Sequence, residues 1–478
     1  MVQSIKNIYF NLNNVKGYDM LKKYVASFSL AFFLVIGIAS AQSIKTDKMD
    51  WWKDGKFGLF LHWGLYSIGH WHDAPQKGNE HFMYVEQIPI KEYAKIAETF
   101  YPKQFNADLW VLRAKKAGMK YIVITAKHHD GFAMYNSPSN NFNIVNLSPW
   151  HKDPMVDLAT ACKKYGLKLC FYYSLGRDWE SPNTVWDKVG AKSGNTWDYP
   201  NESKKDYQKY IDEKVKPQLK ELLSQYGPIG MIWFDTPEGT TPSQSEDLRN
   251  FILAIQPNCI INNRIGNGFG DYIVSEQKIS AGKEVQAWEA CITMSRKWGY
   301  SKFDNEWKSP ELLVRQLVEV VCKGGNLLLN IGPTDLGEFP PTSISNLKVV
   351  EQWMKVNAEA IYGTKPWSVL NEKSISFNGS QEDVMGKSDA DLTSKDIFPD
   401  YYYNQKGENV IYLFARSVQE KKLQVESLVK KGIKIKAIKL LGNAGKISWE
   451  NKKDKTTIEI PEDFKAVLPV YVFKIEFS

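Results

Sequence analysis

The chain has 478 residues, 43% hydrophobic and 24% charged, an ordinary balance for a globular protein and enough for two or three domains around a large core. Its formal charge of +7 is spread thinly, with four lysines against one aspartate in the first 41 residues, so it offers no concentrated basic face of the kind that binds nucleic acid. Aromatic residues make up 13% of the chain; they suit stacking on the apolar faces of sugar rings, and a large aromatic core would explain them as well.

The first readable segment is a leader. Lys22 and Lys23 precede an apolar run, Val25 to Ile38, which is too short to span a bilayer comfortably and ends in the small-x-small site Ala39-Ser40-Ala41. We read residues 1–41 as a signal peptide, with Met20 as a second candidate start. That predicts export to the periplasm or the extracellular space, with no membrane span after cleavage. The five cysteines that follow (Cys162, Cys170, Cys259, Cys291 and Cys322) are odd in number and sparse, as expected of buried thiols rather than a disulfide framework.

From Trp51 to Gly363 short apolar runs alternate with amphipathic stretches. Strands are predicted at Phe57 to His62, Tyr121 to Thr125, Lys168 to Tyr173, Gly230 to Phe234, Cys259 to Asn262 and Leu327 to Ile331. Between them lie helical stretches at Asp108 to Lys116, Met155 to Tyr165, Lys204 to Tyr226, Glu246 to Ile255 and Pro310 to Cys322, and a last helix runs near Ser345 to Ile361. Such alternation means a parallel sheet with crossovers. The length suits a (β/α)8-type TIM barrel over residues 42–365, although a doubly wound sheet would give the same alternation. From Pro366 the pattern changes to short strands at Asn409 to Ala415, Lys422 to Ser427, Ile433 to Leu440, Thr456 to Ile460 and Val470 to Phe477, which predicts a C-terminal antiparallel β-sandwich over residues 366–478.

Polar residues with chemical potential stand at the strand ends: His62-Trp63-Gly64, Lys127-His128-His129-Asp130-Gly131, Tyr172-Tyr173-Ser174, Trp233-Phe234-Asp235 and Asn262-Asn263-Arg264. In a parallel barrel those ends share one face, which holds the active site. Asp235 ends an apolar strand and would sit on a pocket floor; a helix cap or a structural ion pair is the plainer alternative. All seven histidines fall between His62 and His151. The pair His128-His129 could hold sugar hydroxyls or join His70 and His72 at a metal. Because no later strand supplies a further His, hydrogen bonding to sugar ranks above metal ligation. A second carboxylate for acid/base work would come from Glu276 or Glu289, with Glu238 on the loop after Asp235.

Taken in order, Lys56-Phe57-Gly58-Leu59-Phe60-Leu61-His62-Trp63-Gly64, Ala126-Lys127-His128-His129-Asp130-Gly131-Phe132, Tyr172-Tyr173-Ser174-Leu175, Trp233-Phe234-Asp235, Asn262-Asn263-Arg264, Trp288-Glu289-Ala290-Cys291, Trp298-Gly299-Tyr300 and Asn326 to Pro333 resemble glycoside hydrolase family 29, the retaining α-L-fucosidases. The resemblance covers roughly Trp51 to Trp367. It implies an exo-acting enzyme that removes terminal α-L-fucosyl residues from fucosylated glycans through a covalent fucosyl-enzyme, without metal or organic cofactor. It implies Asp235 as nucleophile and Glu276 as acid/base, with Glu289 as the alternative. His62, Glu80, His128, His129, Tyr173, Trp233 and Arg264 would line the sugar site, and Trp298 would face the C5 methyl of fucose. His81 departs from the family pattern, which often has Trp there. The mechanism predicts that Arg264 and the histidines lower the pKa of Asp235 and that a partly apolar wall raises that of Glu276. A sugar-binding protein that has lost catalysis and a metal-dependent hydrolase on the same barrel are the rival readings.

Overall fold

The structure is a computed structural model that describes residues 47–68, 70–71, 74–75, 79–185, 194–279, 286–372, 400–416, 421–468 and 470–478. The leader read at residues 1–41 lies outside them.

Eight parallel strands form one curled sheet: β1 (Phe57–Leu61), β2 (Tyr121–Lys127), β3 (Lys168–Ser174), β4 (Met231–Asp235), β5 (Ile260–Ile261), β6 (Ile273–Glu276), β7 (Trp288–Thr293) and β8 (Asn326–Ile331). Their order is β5-β4-β3-β2-β1-β8-β7-β6. The two ends meet through a parallel bridge between Asn262 and Tyr272. There the Asn263 amide donates to the Tyr272 carbonyl at 2.9 Å, and the Val274 amide donates to Asn263 Oδ1 at 3.0 Å. The ring is therefore closed, as a barrel and not as an open doubly wound sheet. β1, β2 and β8 are buried along their whole length, as strands covered on both faces must be.

Two of the eight strands escape a reading by hydrophobicity. β6 is four residues long and half-buried. β7 carries a carboxylate, Glu289, among apolar neighbours.

The crossover helices begin where local chemistry satisfies free backbone amides. Asp153 caps Pro154–Tyr165 by accepting from the Met155 amide at 2.9 Å, and Ser309 caps Pro310–Cys322 through the Leu312 amide at 3.2 Å. Thr241 and Gln244 form a reciprocal capping box at the start of Pro242–Ile255. In all three helices proline takes the first position, where its missing N–H costs nothing. The short helix Asp50–Gly55 carries the buried Trp52 against Tyr272 inside the ring, with centroids 4.5 Å apart.

Beyond the barrel lie two antiparallel sheets. One has five strands in the order β9 (Lys365–Glu372), β10 (Tyr401–Lys406), β11 (Val410–Ala415), β16 (Tyr471–Phe477) and β13 (Ile435–Leu440). The other has three, in the order β12 (Lys422–Val425), β15 (Thr456–Glu459) and β14 (Trp449–Asn451). Tyr403, Leu413, Phe473, Leu423, Val425 and Ile458 interdigitate between them, which makes the pair a sandwich. The opposite face of the larger sheet sends Tyr402, Tyr412, Phe414 and Val472 into the main core. Trp353, on the last barrel helix, donates to the Val470 carbonyl at 3.1 Å.

Candidate active site

Strand alternation decides which side chains reach the mouth of the ring. Along β3 Cys170 and Tyr172 point inward and Phe171 and Tyr173 outward; along β4 Met231 and Trp233 point inward. Asp235 has the same parity as Trp233 and ends β4 on the inner face. A cavity of about 300 Å³ opens there, lined by Phe60, His62, Glu80, His81, His128, His129, Tyr172, Arg177, Trp233, Asp235, Thr236, Pro237, Glu238, Arg264, Glu276 and Trp298. Its size lies at the low end of small-molecule pockets, roughly 300–1,000 Å³.

The Asp235 carboxylate is held by donors from three directions. Its Oδ1 accepts from Arg264 Nη1 at 2.6 Å and from the Thr236 amide at 2.9 Å. Among the described residues Oδ2 accepts only from the Tyr172 hydroxyl, at 2.8 Å, and stands 3.8 Å from His129 Nε2. Burial alone would raise its pKa; the Arg264 charge and these hydrogen bonds outweigh burial and hold it below the ordinary carboxylate value. Arg264 Nη2 also donates to Glu276 Oε2 at 2.6 Å, so one guanidinium joins the two carboxylates. The apolar wall predicted around Glu276 is missing: its side chain is 42% exposed at the rim and ion-paired to Arg264.

Second contacts fix the imidazoles. Asn330 gives its amide N–H to the Trp298 carbonyl at 2.8 Å, so its Oδ1 must accept from His62 Nδ1, 2.7 Å away. Ser174 gives its only proton to the Arg177 carbonyl at 2.7 Å, so its Oγ must accept from His129 Nδ1, 2.6 Å away. Both rings therefore carry their proton on Nδ1 and leave Nε2 as an acceptor for a ligand hydroxyl. Burial, with no compensating charge strong enough to reverse it, lowers the pKa of His62 to about 4 and those of His128 and His129 well below 6.5. Glu80 completes this side; it accepts from the Gly299 amide at 3.1 Å and pairs with His81 Nδ1 at 3.3 Å. Burial opposes its charge, but the hydrogen bond and charge of His81, helped by its own backbone amide, keep its pKa below the usual 4.5.

A neutral buried histidine makes stability depend on pH. The unfolded imidazole takes a proton near pH 6.5, and folded His62 refuses it down to about pH 4. Between those values the unfolded state binds more protons, so His62 contributes stability that is complete above about pH 6.5 and is lost as the pH falls toward 4. We expect the loss of unfolding free energy from pH 7.5 to 4.5 to be smaller in His62→Asn than in the wild type by about 2–3 kcal/mol, at roughly 1.4 kcal/mol per pH unit. Urea unfolding of both proteins at the two pH values measures it, and equal losses would refute the neutral assignment.

Two residues read from the sequence as belonging to the site do not reach it. Tyr173 points out of the ring, and its hydroxyl donates to Gln218 Oε1 at 2.8 Å on the helix Lys216–Gln225; its neighbour Tyr172 takes the inner position. Glu289 is the second residue of β7 and lies low in the ring. It is paired in register with Val274, two residues below Glu276 on the adjacent strand. Its carboxylate is fully buried and accepts from Tyr121 at 2.7 Å, Trp233 Nε1 at 2.9 Å, and Trp52 Nε1 and Tyr272 at 3.4 Å. Burial raises its pKa against those four donors. It fixes the floor aromatic Trp233 and does not face the cavity. We expect Tyr172→Phe to cut kcat by roughly tenfold to a hundredfold through loss of a charge-assisted hydrogen bond. Tyr173→Phe should leave kcat unchanged and cost about 1 kcal/mol of stability. Steady-state kinetics and urea unfolding of the two variants check the assignment, and a reversed pattern would restore Tyr173.

An aromatic column backs the site. His128 stacks on Tyr172 at 5.3 Å, Tyr172 on Trp233 at 5.5 Å, and the Arg264 guanidinium lies over Trp233 at 5.0 Å. On the far side Trp298 leans on His62 at 5.0 Å. The sequence reading missed Phe60, Tyr172, Arg177, Thr236 and Pro237 as lining residues, and Ser174 and Asn330 as the partners that set the tautomers. Matching the parity of β3 to that of β4 would have found Tyr172. Among the described residues no group of three or more His, Cys, Asp or Glu is arranged to hold a metal ion; His72 and the side chain of His70 lie outside them. No helix among the described residues is long and apolar enough to cross a membrane.

The α-L-fucosidase family matches residues 38–359 of the chain. Tissue α-L-fucosidase of Bos taurus is 32% identical over 348 residues, which cover 68% of this chain and 70% of the relative. Among solved structures, α-L-fucosidase isoenzyme 1 of Paenibacillus thiaminolyticus superimposes with a TM-score of 0.77 at 29% identity, over 90% of this chain and 99% of that one. The Lactobacillus casei α-L-fucosidase AlfC, solved with its α-L-fucose product, gives 0.60 at 36% identity over 64% and 98%. A closed barrel whose mouth gathers Asp235, Arg264, Glu276 and four imidazoles, and whose sequence aligns with these enzymes over most of its length, belongs to the α-L-fucosidase family of glycoside hydrolases.

Proposed function

We propose that Asp235 is the nucleophile and Glu276 the acid/base of this retaining α-L-fucosidase. The observation that carries the assignment is the single guanidinium of Arg264 spanning both carboxylates. Two carboxylates serving one anomeric carbon must stand close together, about 5–5.5 Å apart in retaining enzymes. Of the candidate carboxylates, Glu276 shares the cavity and Arg264 with Asp235, and Glu289 does not.

The fucosyl unit enters with its hydroxyls toward His62, His128, His129 and Glu80 and its C5 methyl toward Trp298. Tyr172 and Arg264 keep Asp235 charged and aimed. Oδ2, which has one donor where Oδ1 has two, attacks the anomeric carbon. The glycosidic C–O bond breaks, and Glu276 gives its proton to the departing oxygen. Glu276 then takes a proton from water as the water oxygen attacks, the ester to Asp235 breaks, and fucose leaves with its configuration retained. The product-bound relative, which holds α-L-fucose, supports the choice of sugar.

Incubation with 2-deoxy-2-fluoro-L-fucosyl fluoride, followed by proteolysis and mass spectrometry, should place the trapped ester on Asp235. A label on any other carboxylate overturns the assignment.

We also infer that the chain is exported. The support is the sequence alone: Lys22-Lys23, the apolar run and Ala39-Ser40-Ala41. N-terminal sequencing of the secreted protein should begin at Gln42.

A further inference from the structure

Glu276 stands in a poorly supported place. β6 is four residues long, and Glu276 is its last residue, 42% exposed at the rim. Toward β5 the last hydrogen bond of this stretch among the described residues is that of the Val274 amide to Asn263 Oδ1. From Ser275 onward β7 is the neighbour that holds the chain, with Glu276 paired in register to Cys291. Arg264 steadies the carboxylate, but a guanidinium that also serves Asp235 does not fix the backbone beneath it.

Gln277, the next residue, supplies what the strand lacks. Its amide donates to the Cys291 carbonyl at 2.9 Å and so continues the parallel ladder by one bond. In that ladder the following bond would run from the Thr293 amide to the Gln277 carbonyl. Instead Gln277 turns out of the sheet at a left-handed φ of 51°, and its side chain takes the place of its carbonyl. Oε1 accepts from the Thr293 amide at 3.3 Å, while Nε2 donates to the Thr293 hydroxyl at 2.9 Å. A left-handed φ is uncommon for a residue with a Cβ and persists where surrounding contacts hold it.

The anchor is itself held on two sides. Thr293 is buried at the end of β7, its carbonyl accepts from Lys308 Nζ at 2.7 Å, and it pairs in register with Asn330 on β8. Asn330 is the residue whose Oδ1 accepts from His62 Nδ1. The end of β6 is thus tied through β7 to the strand that orients an imidazole of the sugar site. Gln277 and Thr293 are not among the residues that line the cavity, so any part they take in the reaction is taken through Glu276.

We propose that Gln277 is the positioning residue of the acid/base: hooked to Thr293, it holds the end of β6 so that Glu276 meets the glycosidic oxygen. This role rests on the assignment of Glu276 as acid/base. Proton transfer demands hydrogen-bond reach, and a misplacement of about 1 Å can cost about a hundredfold in rate. Without the hook Glu276 gains that freedom, while Asp235 keeps its own donors.

The test compares kcat/KM for a fucosyl disaccharide with that for 4-nitrophenyl α-L-fucoside in the wild type, Gln277→Asn, Thr293→Val and Glu276→Ala, with melting temperatures as a check on folding. Gln277→Asn is one methylene too short for the double hook, yet asparagine accepts a left-handed φ readily, so the turn is kept. Thr293→Val keeps the shape of the anchor and removes its hydroxyl; it carries the test alone if Gln277→Asn does not fold. The ratio of disaccharide to aryl kcat/KM should fall by roughly 10- to 100-fold in Gln277→Asn and by roughly 3- to 10-fold in Thr293→Val. Azide, which needs no base, should raise kcat on the aryl fucoside in Gln277→Asn and yield α-L-fucosyl azide. An equal loss on both substrates would make Gln277 a structural residue, and an unchanged ratio would mean that the hook does not aim Glu276; either result overturns the positioning role alone. If Glu276→Ala itself lost equally on both substrates, the acid/base assignment would fall and the positioning role with it.

Discussion

Asp235→Ala is expected to lower kcat on every fucoside by on the order of 10⁴- to 10⁶-fold, equivalent to about 5–8 kcal/mol of lost transition-state stabilisation. The size follows from the role: without the carboxylate there is no covalent step to divide the reaction, and the donors Tyr172, Arg264 and the Thr236 amide lose the anion they are arranged around. Folding should survive, because Arg264 keeps Glu276 as its counter-ion and the shortened side chain leaves its space to solvent. Azide, small enough to occupy the vacated place, should attack the same face and yield β-L-fucosyl azide. Kinetics, circular dichroism and the anomeric signal of the azide product test the prediction together. Activity within tenfold of wild type would end the assignment.

Glu276→Ala should divide substrates by leaving group. Proton donation contributes roughly 10²–10⁴-fold, so hydrolysis of a disaccharide should fall by about a thousandfold, while an aryl fucoside whose phenolate leaves unaided should lose much less in its first step. Here azide intercepts the fucosyl-enzyme from the opposite face, and the product should be α-L-fucosyl azide. The two variants are thus told apart by product stereochemistry as well as by rate. If Glu276 served only to balance Arg264, the losses would be uniform across leaving groups and azide would rescue nothing. The ion pair at the exposed rim makes this comparison informative, since it supplies a structural role that the acid/base role must outperform.

The contrast between Glu276 and Glu289 shows how little sequence separation says about a barrel. Thirteen positions apart in the chain, they stand on adjacent strands, and both precede or follow motifs expected of the site. Strand register separates them: Glu276 pairs with Cys291 and ends its strand, whereas Glu289 pairs with Val274 and begins to climb. The consequence is chemical. Glu276 meets solvent and Arg264; Glu289 meets four indole and phenol donors in a dry interior. Tyr172 and Tyr173 repeat the lesson within a single strand. Adjacent residues on a pleat face opposite sides, so one tyrosine touches Asp235 and the other touches the helix behind.

By itself the sequence determined the alternation that builds the barrel, the change to short polar-punctuated strands after Pro366, and the order in which His62, the His128-His129 pair, Asp235 and Arg264 reach strand ends. These are local facts: hydrophobic period, run length and the polar residue that stops a run are all written within a few neighbours of one another. Closure of the ring through Asn262 and Tyr272, the inward tyrosine, the burial of Glu289, the Nδ1 tautomers set by Asn330 and Ser174, and the meeting of Gln277 with Thr293 were decided only by the tertiary structure. Each depends on the phase of one strand relative to another. That phase is fixed by packing across the whole barrel, and no window of sequence contains it.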